Sequence, residues 1–305
     1  MLPMASFSTW IHGARLQTLP ASISPIFAGI GVTLWLDTFD VFLSILCVLA
    51  GLTIQLAVNY SNDYSDGIRG TDKNRIGPAR LTGGNLAHPY TVLAVAIGFY
   101  GLTAALGLII IAFSGQWWLI LVGVAAIAAG WFYTGGKRPY GYMGLGEVFV
   151  FVFFGLVACG GTIFVQAGGV PLLGWLSSCI MGLVACCILM LNNIRDIPTD
   201  TYAGKKTLAV RMGDNRARIA YSITLIFAMS MCFGLCFTPN IHTWCAVFFL
   251  PSLVFVAINI ARILGIGQPA AHGGSINKLV KLSGLTELTM GLALLATFWV
   301  SANLV

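Results

Sequence analysis

Nine stretches of about twenty apolar residues fill most of this chain, at 17–36, 41–61, 91–114, 117–134, 147–167, 171–194, 219–237, 242–264 and 284–304. A helix of that length matches the hydrocarbon thickness of a bilayer. Inside lipid, a segment must satisfy its own backbone hydrogen bonds, which the helix does. Composition leaves no other home for these segments. Only 9% of the 305 residues are charged and 58% are hydrophobic, whereas a soluble domain carries roughly a quarter charged residues. The expected fold is an all-α polytopic membrane protein, a single domain over 1–305 with about nine transmembrane helices. The apolar run from Leu19 to Leu36 exceeds the core of a cleavable signal peptide. It reads as the first transmembrane helix, interrupted by Pro20 and Pro25.

The charges sort by loop. Arg15 precedes the first span, and every other Lys and Arg follows span 2, 4, 6 or 8. Positive loops stay in the cytoplasm, so the N-terminus and the even-numbered loops are expected there and the C-terminus outside. This orientation rule accounts for the net charge of +6, which therefore implies no nucleic-acid partner. The eight Cys form no C-x-x-C pair, and the four His are scattered. They read as small buried groups and isolated side chains rather than a disulfide, zinc or His-based metal framework.

The acidic residues are placed less predictably than the basic ones. Of ten in the chain, five fall in two short segments. One runs Asn62-Asp63-Tyr64-Ser65-Asp66 to Asp72, and the other runs Asn192-Asn193-Ile194-Arg195-Asp196 to Asp200. They end spans 2 and 6, an even number of spans apart, and so share one side of the membrane. In a helix, residues three and four apart share a face, which groups Asn59, Asn62 or Asp63, and Asp66. Asn192, Asp196 and Asp200 recur at four, although Pro198 is expected to start a new turn. Such oxygen ligands suit Mg²⁺, which takes a few carboxylates, water and substrate phosphate in place of a complete protein cage. Two facing groups suit two Mg²⁺ ions with a diphosphate between them. Arg69, Lys73, Arg138, Arg195, Lys205 and Lys206 lie beside them to neutralise the remaining oxygens.

Between the acidic segments runs Trp131-Phe132-Tyr133-Thr134-Gly135-Gly136-Lys137-Arg138-Pro139-Tyr140-Gly141-Tyr142, followed by Phe149, Phe151, Phe153 and Phe154. Aromatic residues at this depth form an interfacial belt or a π-lined shelter for a positive charge, and composition leaves both open.

These stretches resemble the UbiA superfamily of intramembrane aromatic prenyltransferases. That family carries N-D-x-x-D-x-x-x-D on one cytoplasmic loop and D-x-x-x-D on another. The segments Arg75-Ile76-Gly77-Pro78, Arg138-Pro139-Tyr140-Gly141-Tyr142 with Gly144-Leu145-Gly146, and Gly204-Lys205-Lys206-Thr207-Leu208 are most similar to its 1,4-dihydroxy-2-naphthoate branch. The likeness covers most of the chain. It implies helices around a central cavity, with Asn62, Asp63, Asp66, Asp72, Asn192, Asp196 and Asp200 holding Mg²⁺. Asp63, Asp66, Asp196 and Asp200 become the residues on which turnover depends. Tyr133, Lys137, Tyr140 and Tyr142 would meet the aromatic substrate and the allylic cation. The implied substrates are a polyprenyl diphosphate drawn from membrane lipid and 1,4-dihydroxy-2-naphthoate. The implied product is a demethylmenaquinone, and the implied home a bacterial plasma membrane. Two departures stand out. Asp72 lies nine residues after Asp63, where the family spacing puts Gly70, and Leu16 occupies the Pro position of an R-P-x-T-L-P pattern.

Other classes remain open on residues alone. A sibling enzyme would prenylate 4-hydroxybenzoate, homogentisate or haem. A lipid phosphotransferase would need D-G-x-x-A-R, which is absent after Asp66-Gly67. An ion-coupled transporter would need ionisable groups near mid-membrane, and Glu147 and Glu287 are both expected near helix ends.

Overall fold

The computed structural model describes residues 6–71 and 80–304. Among them every regular element is helical. In chain order these are α1 (Phe7–Ala14), α2 (Leu19–Trp35), α3 (Val41–Arg69), α4 (Pro89–Ser114), α5 (Leu119–Phe132), α6 (Gly146–Ala167), α7 (Leu172–Tyr202), α8 (Leu208–Met212), α9 (Asp214–Leu235), α10 (Thr243–Leu264) and α11 (Ile276–Asn303). All nine apolar stretches become helices. Eight are long and apolar enough to cross a membrane, while α5 has 14 residues, about 21 Å at 1.5 Å per residue.

Proline acts differently from its sequence expectation. Pro20 sits in the first turn of α2, where its missing N–H costs nothing. Pro25 and Pro198 lie inside unbroken helices. Neighbouring helices and Ser/Thr side chains make this tolerable in a membrane bundle. At Pro198, Thr199 Oγ1 donates to the Asp196 carbonyl and Thr201 Oγ1 to that of Ile197. Helix α7 therefore carries Asn192, Asp196 and Asp200 on one continuous face.

Close approach of backbones sets the bundle. A Cβ on Gly155 would lie 2.6 Å from the Gly182 Cα, and one on Gly291 2.5 Å from the Ser24 carbonyl oxygen. Small residues at such crossings let helices pack where lipid supplies no hydrophobic drive. They bring α6 onto α7 and α2 onto α11. The buried core runs along these helices and α9, around Met181, Leu191, Tyr221, Leu225 and Phe298. Large apolar side chains elsewhere face outward, as lipid-facing surfaces require: Leu121, Phe113 and Ile223 are exposed.

Two corrections concern the last span and α6. Helix α11 begins at Ile276, earlier than its apolar stretch, so Glu287 lies in its interior and is fully buried. Polar Asn277, Lys278 and Lys281 extend the helix beyond the apolar run because α2 and α7 pack against it. Within α6, Phe151–Gly160 is π-helical. That wider turn lies where Phe153, Phe154 and Val157 face the central cavity.

Candidate active site

Helices α3 and α7 end on the same side of the bundle, and their acidic ends meet. The link is Lys205, whose Nζ lies 3.8 Å from Asp66 Oδ1 and 3.5 Å from Asp200 Oδ1. It also stands over the Tyr142 ring, 4.5 Å from its centre. Asp66 accepts a 2.5 Å hydrogen bond from the Tyr142 hydroxyl and has the Arg80 guanidinium 3.9 Å away. Burial, and then the Asp66 charge, push the Tyr142 phenol above its ordinary value, so it stays a neutral donor. Asn62 faces Asp66 from one turn below, its Oδ1 accepting from Thr134 Oγ1 at 2.7 Å.

Below this polar mouth lies a cavity of about 660 Å³. Asn62, Asp66, Asn192, Asp196, Asp200, Lys205 and Arg80 line its upper end, and Ile54, Ile110, Val122 and Val165 line its deeper part. Tyr133, Tyr140, Tyr142 and Phe149 stand between. Tyr140 stacks on Phe149 with ring centres 3.9 Å apart, and its hydroxyl donates to the Ala129 carbonyl. The aromatic segment is thus a cavity wall as well as a membrane-interface feature.

The structure separates the sequence-predicted residues into three groups. Asn62, Asp66, Asn192, Asp196, Asp200, Lys205, Tyr133, Tyr140 and Tyr142 all reach the cavity. Asp63, Arg69, Lys137, Arg138, Arg195 and Lys206 do not line it. Asp72 and Lys73 lie outside the described residues.

Each residue of the second group has another task or position. Asp63 is fully buried away from the cavity, and its two carboxylate oxygens accept from the backbone N–H groups of Leu81 and Thr82, both at 2.8 Å. Arg195 is buried and grips Asp196 through Nε and Nη2 at 2.7 and 2.6 Å, while Nη1 donates to Asn277 Oδ1. It holds Asp196 in place and ties α7 to α11. Arg69 donates to the carbonyls of Thr134 and Gly136, fastening the loop after α5 onto the end of α3. Lys137, Arg138 and Lys206 are exposed, and the Lys206 backbone N–H donates to the Tyr142 carbonyl.

Sequence reasoning left Arg80, Arg15, Thr134 and Gln55 out of the candidate site, yet all four line the cavity. Arg80 carried a signal, as one of three cations that follow the first acidic segment. The seating of its loop on Asp63 is what brings it back over the site.

Among the described residues no three His, Cys, Asp or Glu side chains converge as a metal cage. The donor set nevertheless fits Mg²⁺. Hard oxygens from Asn62, Asp66, Asn192, Asp196 and Asp200 share one cavity mouth, and Mg²⁺ keeps water and substrate phosphate among its ligands. The Lys205 ammonium between Asp66 and Asp200 shows that this position already accommodates a cation.

The model of the UbiA prenyltransferase family matches residues 22–271. The chain belongs to that family. It is 43% identical to the 1,4-dihydroxy-2-naphthoate octaprenyltransferase of Mycobacterium tuberculosis, over 95% of this chain and 96% of that protein. It is 32% identical to the Escherichia coli protein of the same name, over 95% and 96%. Among solved structures, a UbiA homolog from Archaeoglobus fulgidus bound to DMAPP and Mg²⁺ superposes with a TM-score of 0.66 at 14% identity, covering 97% of this chain and all of that one. That likeness places the helical bundle in the UbiA fold. The protein is therefore a multi-pass membrane protein of the UbiA type.

Proposed function

We propose that this chain transfers a polyprenyl group from a polyprenyl diphosphate to 1,4-dihydroxy-2-naphthoate, releasing diphosphate and carbon dioxide. The product is a prenylated naphthoquinol, the reduced form of a demethylmenaquinone. The observation that carries this reading is the meeting of two acidic helix ends, with Lys205 between them, at the polar mouth of an otherwise apolar cavity. The names of the relatives at 43% and 32% identity support the acceptor.

Each part of the site has a physical task. Asn62, Asp66, Asn192, Asp196 and Asp200 would hold Mg²⁺, one ion to each acidic segment. Bound there, Mg²⁺ neutralises the diphosphate so that it can depart. Lys205 and Arg80 add fixed positive charge at the mouth, where charge develops on the leaving group. Tyr133, Tyr140, Tyr142 and Phe149 present π faces to the carbon left positive when the C–O bond breaks. The apolar lower wall takes the isoprenoid chain and keeps water from that carbon. The ring then forms the new C–C bond, and the naphthoate carboxylate leaves as carbon dioxide, its bonding electrons restoring the aromatic ring of the quinol. The basic loops support a mouth and N-terminus on the cytoplasmic side and a C-terminus outside. A bacterial plasma membrane supplies the lipid-soluble donor.

Purified protein in detergent, given Mg²⁺, a polyprenyl diphosphate and the naphthoate, is expected to release carbon dioxide and form prenylated naphthoquinol. Chelating Mg²⁺ should stop both, and restoring it should recover them. Prenylation of 4-hydroxybenzoate or homogentisate in place of the naphthoate would keep the chemistry and refute the acceptor.

Lys205 gives a second expected outcome. With no ammonium between them, Asp66 and Asp200 lose the charge that offsets their mutual repulsion. Lys205→Met should lower the melting temperature in chelator by roughly 1–2 °C, about 1 kcal/mol in a protein of this size. Added Mg²⁺ should then raise it by more than it does in the parent. Thermal unfolding with and without Mg²⁺ checks this, and equal Mg²⁺ shifts in both proteins would count against it.

A further inference from the structure

Beneath the acidic mouth, the cavity wall carries a hydrogen-bond chain whose direction is fixed at one end. The Ala14 carbonyl can only accept, so the group facing it at 2.8 Å is the Asn59 amide nitrogen. That nitrogen also donates to Thr18 Oγ1 at 3.0 Å. The Thr18 hydroxyl spends its own proton on the Arg15 carbonyl. Asn59 Oδ1 is therefore turned to Gln55, and the Gln55 amide nitrogen donates to it and to Thr18 Oγ1, each at 3.1 Å. Reversing either amide would set like atoms against each other.

The chain ends in an acceptor without a donor. Gln55 Oε1 is buried with no hydrogen-bond partner, on a residue only 6% exposed that lines the cavity. A buried amide oxygen left this way costs free energy that a donor on a ligand would recover. Gln55 lies seven residues before Asn62 on α3, about 10 Å deeper at 1.5 Å per residue. The two faces of the site are thus a ring's length apart.

The chemistry of the cavity's occupants selects one partner. An ionised diphosphate offers acceptors only, and an isoprenoid chain offers neither donor nor acceptor. A dihydroxyaromatic acceptor offers O–H donors. We propose that Gln55 Oε1 receives a ring hydroxyl of the aromatic acceptor, and so fixes which edge of the ring faces the allylic carbon. This rests on the prenyl-transfer reading above and assigns the acceptor's position within it. The hydrogen bond also leaves the hydroxyl oxygen's electrons available to the ring, which favours attack by carbon.

A site built to hydrogen-bond a substrate hydroxyl discriminates against analogues that lack it, because its own polar group is then left unpaired. The test compares 1,4-dihydroxy-2-naphthoate with its two mono-O-methyl ethers, in the parent and in Gln55→Leu, at saturating polyprenyl diphosphate. The parent should disfavour one ether by roughly tenfold to a hundredfold in kcat/KM. Gln55→Leu should raise KM for the dihydroxy acceptor by a similar factor and remove the preference against that ether. KM for the polyprenyl diphosphate should stay within about twofold of the parent, on the principle that only the acceptor loses a partner. A preference that survives in Gln55→Leu, or both KM values rising together, would show a purely structural amide and overturn the assignment. If the variant does not fold, the parent alone still decides, since equal use of both ethers and the free diol is incompatible with it. A parent inactive on all three acceptors, but active on another aromatic, would refute the naphthoate reading itself.

Discussion

Asp66→Asn should reduce turnover by at least about a thousandfold, at the upper end of what losing one electrostatic contact at a reacting centre costs, while leaving the protein folded. Asp66 is where the site's charges converge: Tyr142, Lys205 and Arg80 all address its carboxylate. An asparagine has the same shape, and its Oδ1 can still accept from the Tyr142 hydroxyl. What disappears is the negative charge that a divalent ion requires, leaving Lys205 and Arg80 as surplus positive charge. The loss should fall on turnover and on the Mg²⁺ concentration needed for half-maximal rate. Steady-state kinetics across Mg²⁺ concentrations, alongside a melting curve, separates this from misfolding. A variant retaining more than a tenth of parental turnover would remove Asp66 from the metal site.

Asp63→Ala should also abolish activity, but by unseating a loop. The sequence pattern makes Asp63 a metal ligand equal to Asp66. In the structure its carboxylate holds the Leu81 and Thr82 amides, and Leu81 is buried against Gly13 and Tyr60. Hydrogen bonds to a charged group contribute about 1.5–3 kcal/mol each, so the loop loses on the order of 3–6 kcal/mol of anchoring. Arg80, next in the chain, would leave Asp66. Hydrogen exchange should show the Leu81 and Thr82 amides losing protection in Asp63→Ala and keeping it in Asp66→Asn. The same protection in both variants would return Asp63 to the role of a plain ligand.

The contrast between these aspartates shows how far sequence patterns reach. Spacing of three and four residues put Asn62, Asp66, Asn192, Asp196 and Asp200 on the right helix faces, and all five line the cavity. Spacing could not tell Asp63 from Asp66, because residues three apart share a helix face and what separates them is a distant loop whose Leu81 and Thr82 amides take up the Asp63 carboxylate. The same holds for the cations. Lys205 and Arg195 look equivalent beside the second acidic segment, yet one spans Asp66 and Asp200 while the other turns inward to Asp196 and Asn277. A long, flexible basic side chain goes where packing leaves an acceptor, and linear order does not record that.

The membrane class, the succession of apolar helices and the pairing of two acidic ends on one side were determined by the sequence alone. Apolar runs of about twenty residues have one stable solution in lipid, and an even number of crossings returns the chain to the same face. Tertiary structure alone decided the length of α11, the burial of Glu287, the passage of α7 through Pro198 and the unpartnered oxygen of Gln55. Each depends on which groups the folded bundle packs or hydrogen-bonds against the residue. Such contacts join residues such as Ala14 and Asn59, 45 positions apart, and only the packed helices bring them within reach.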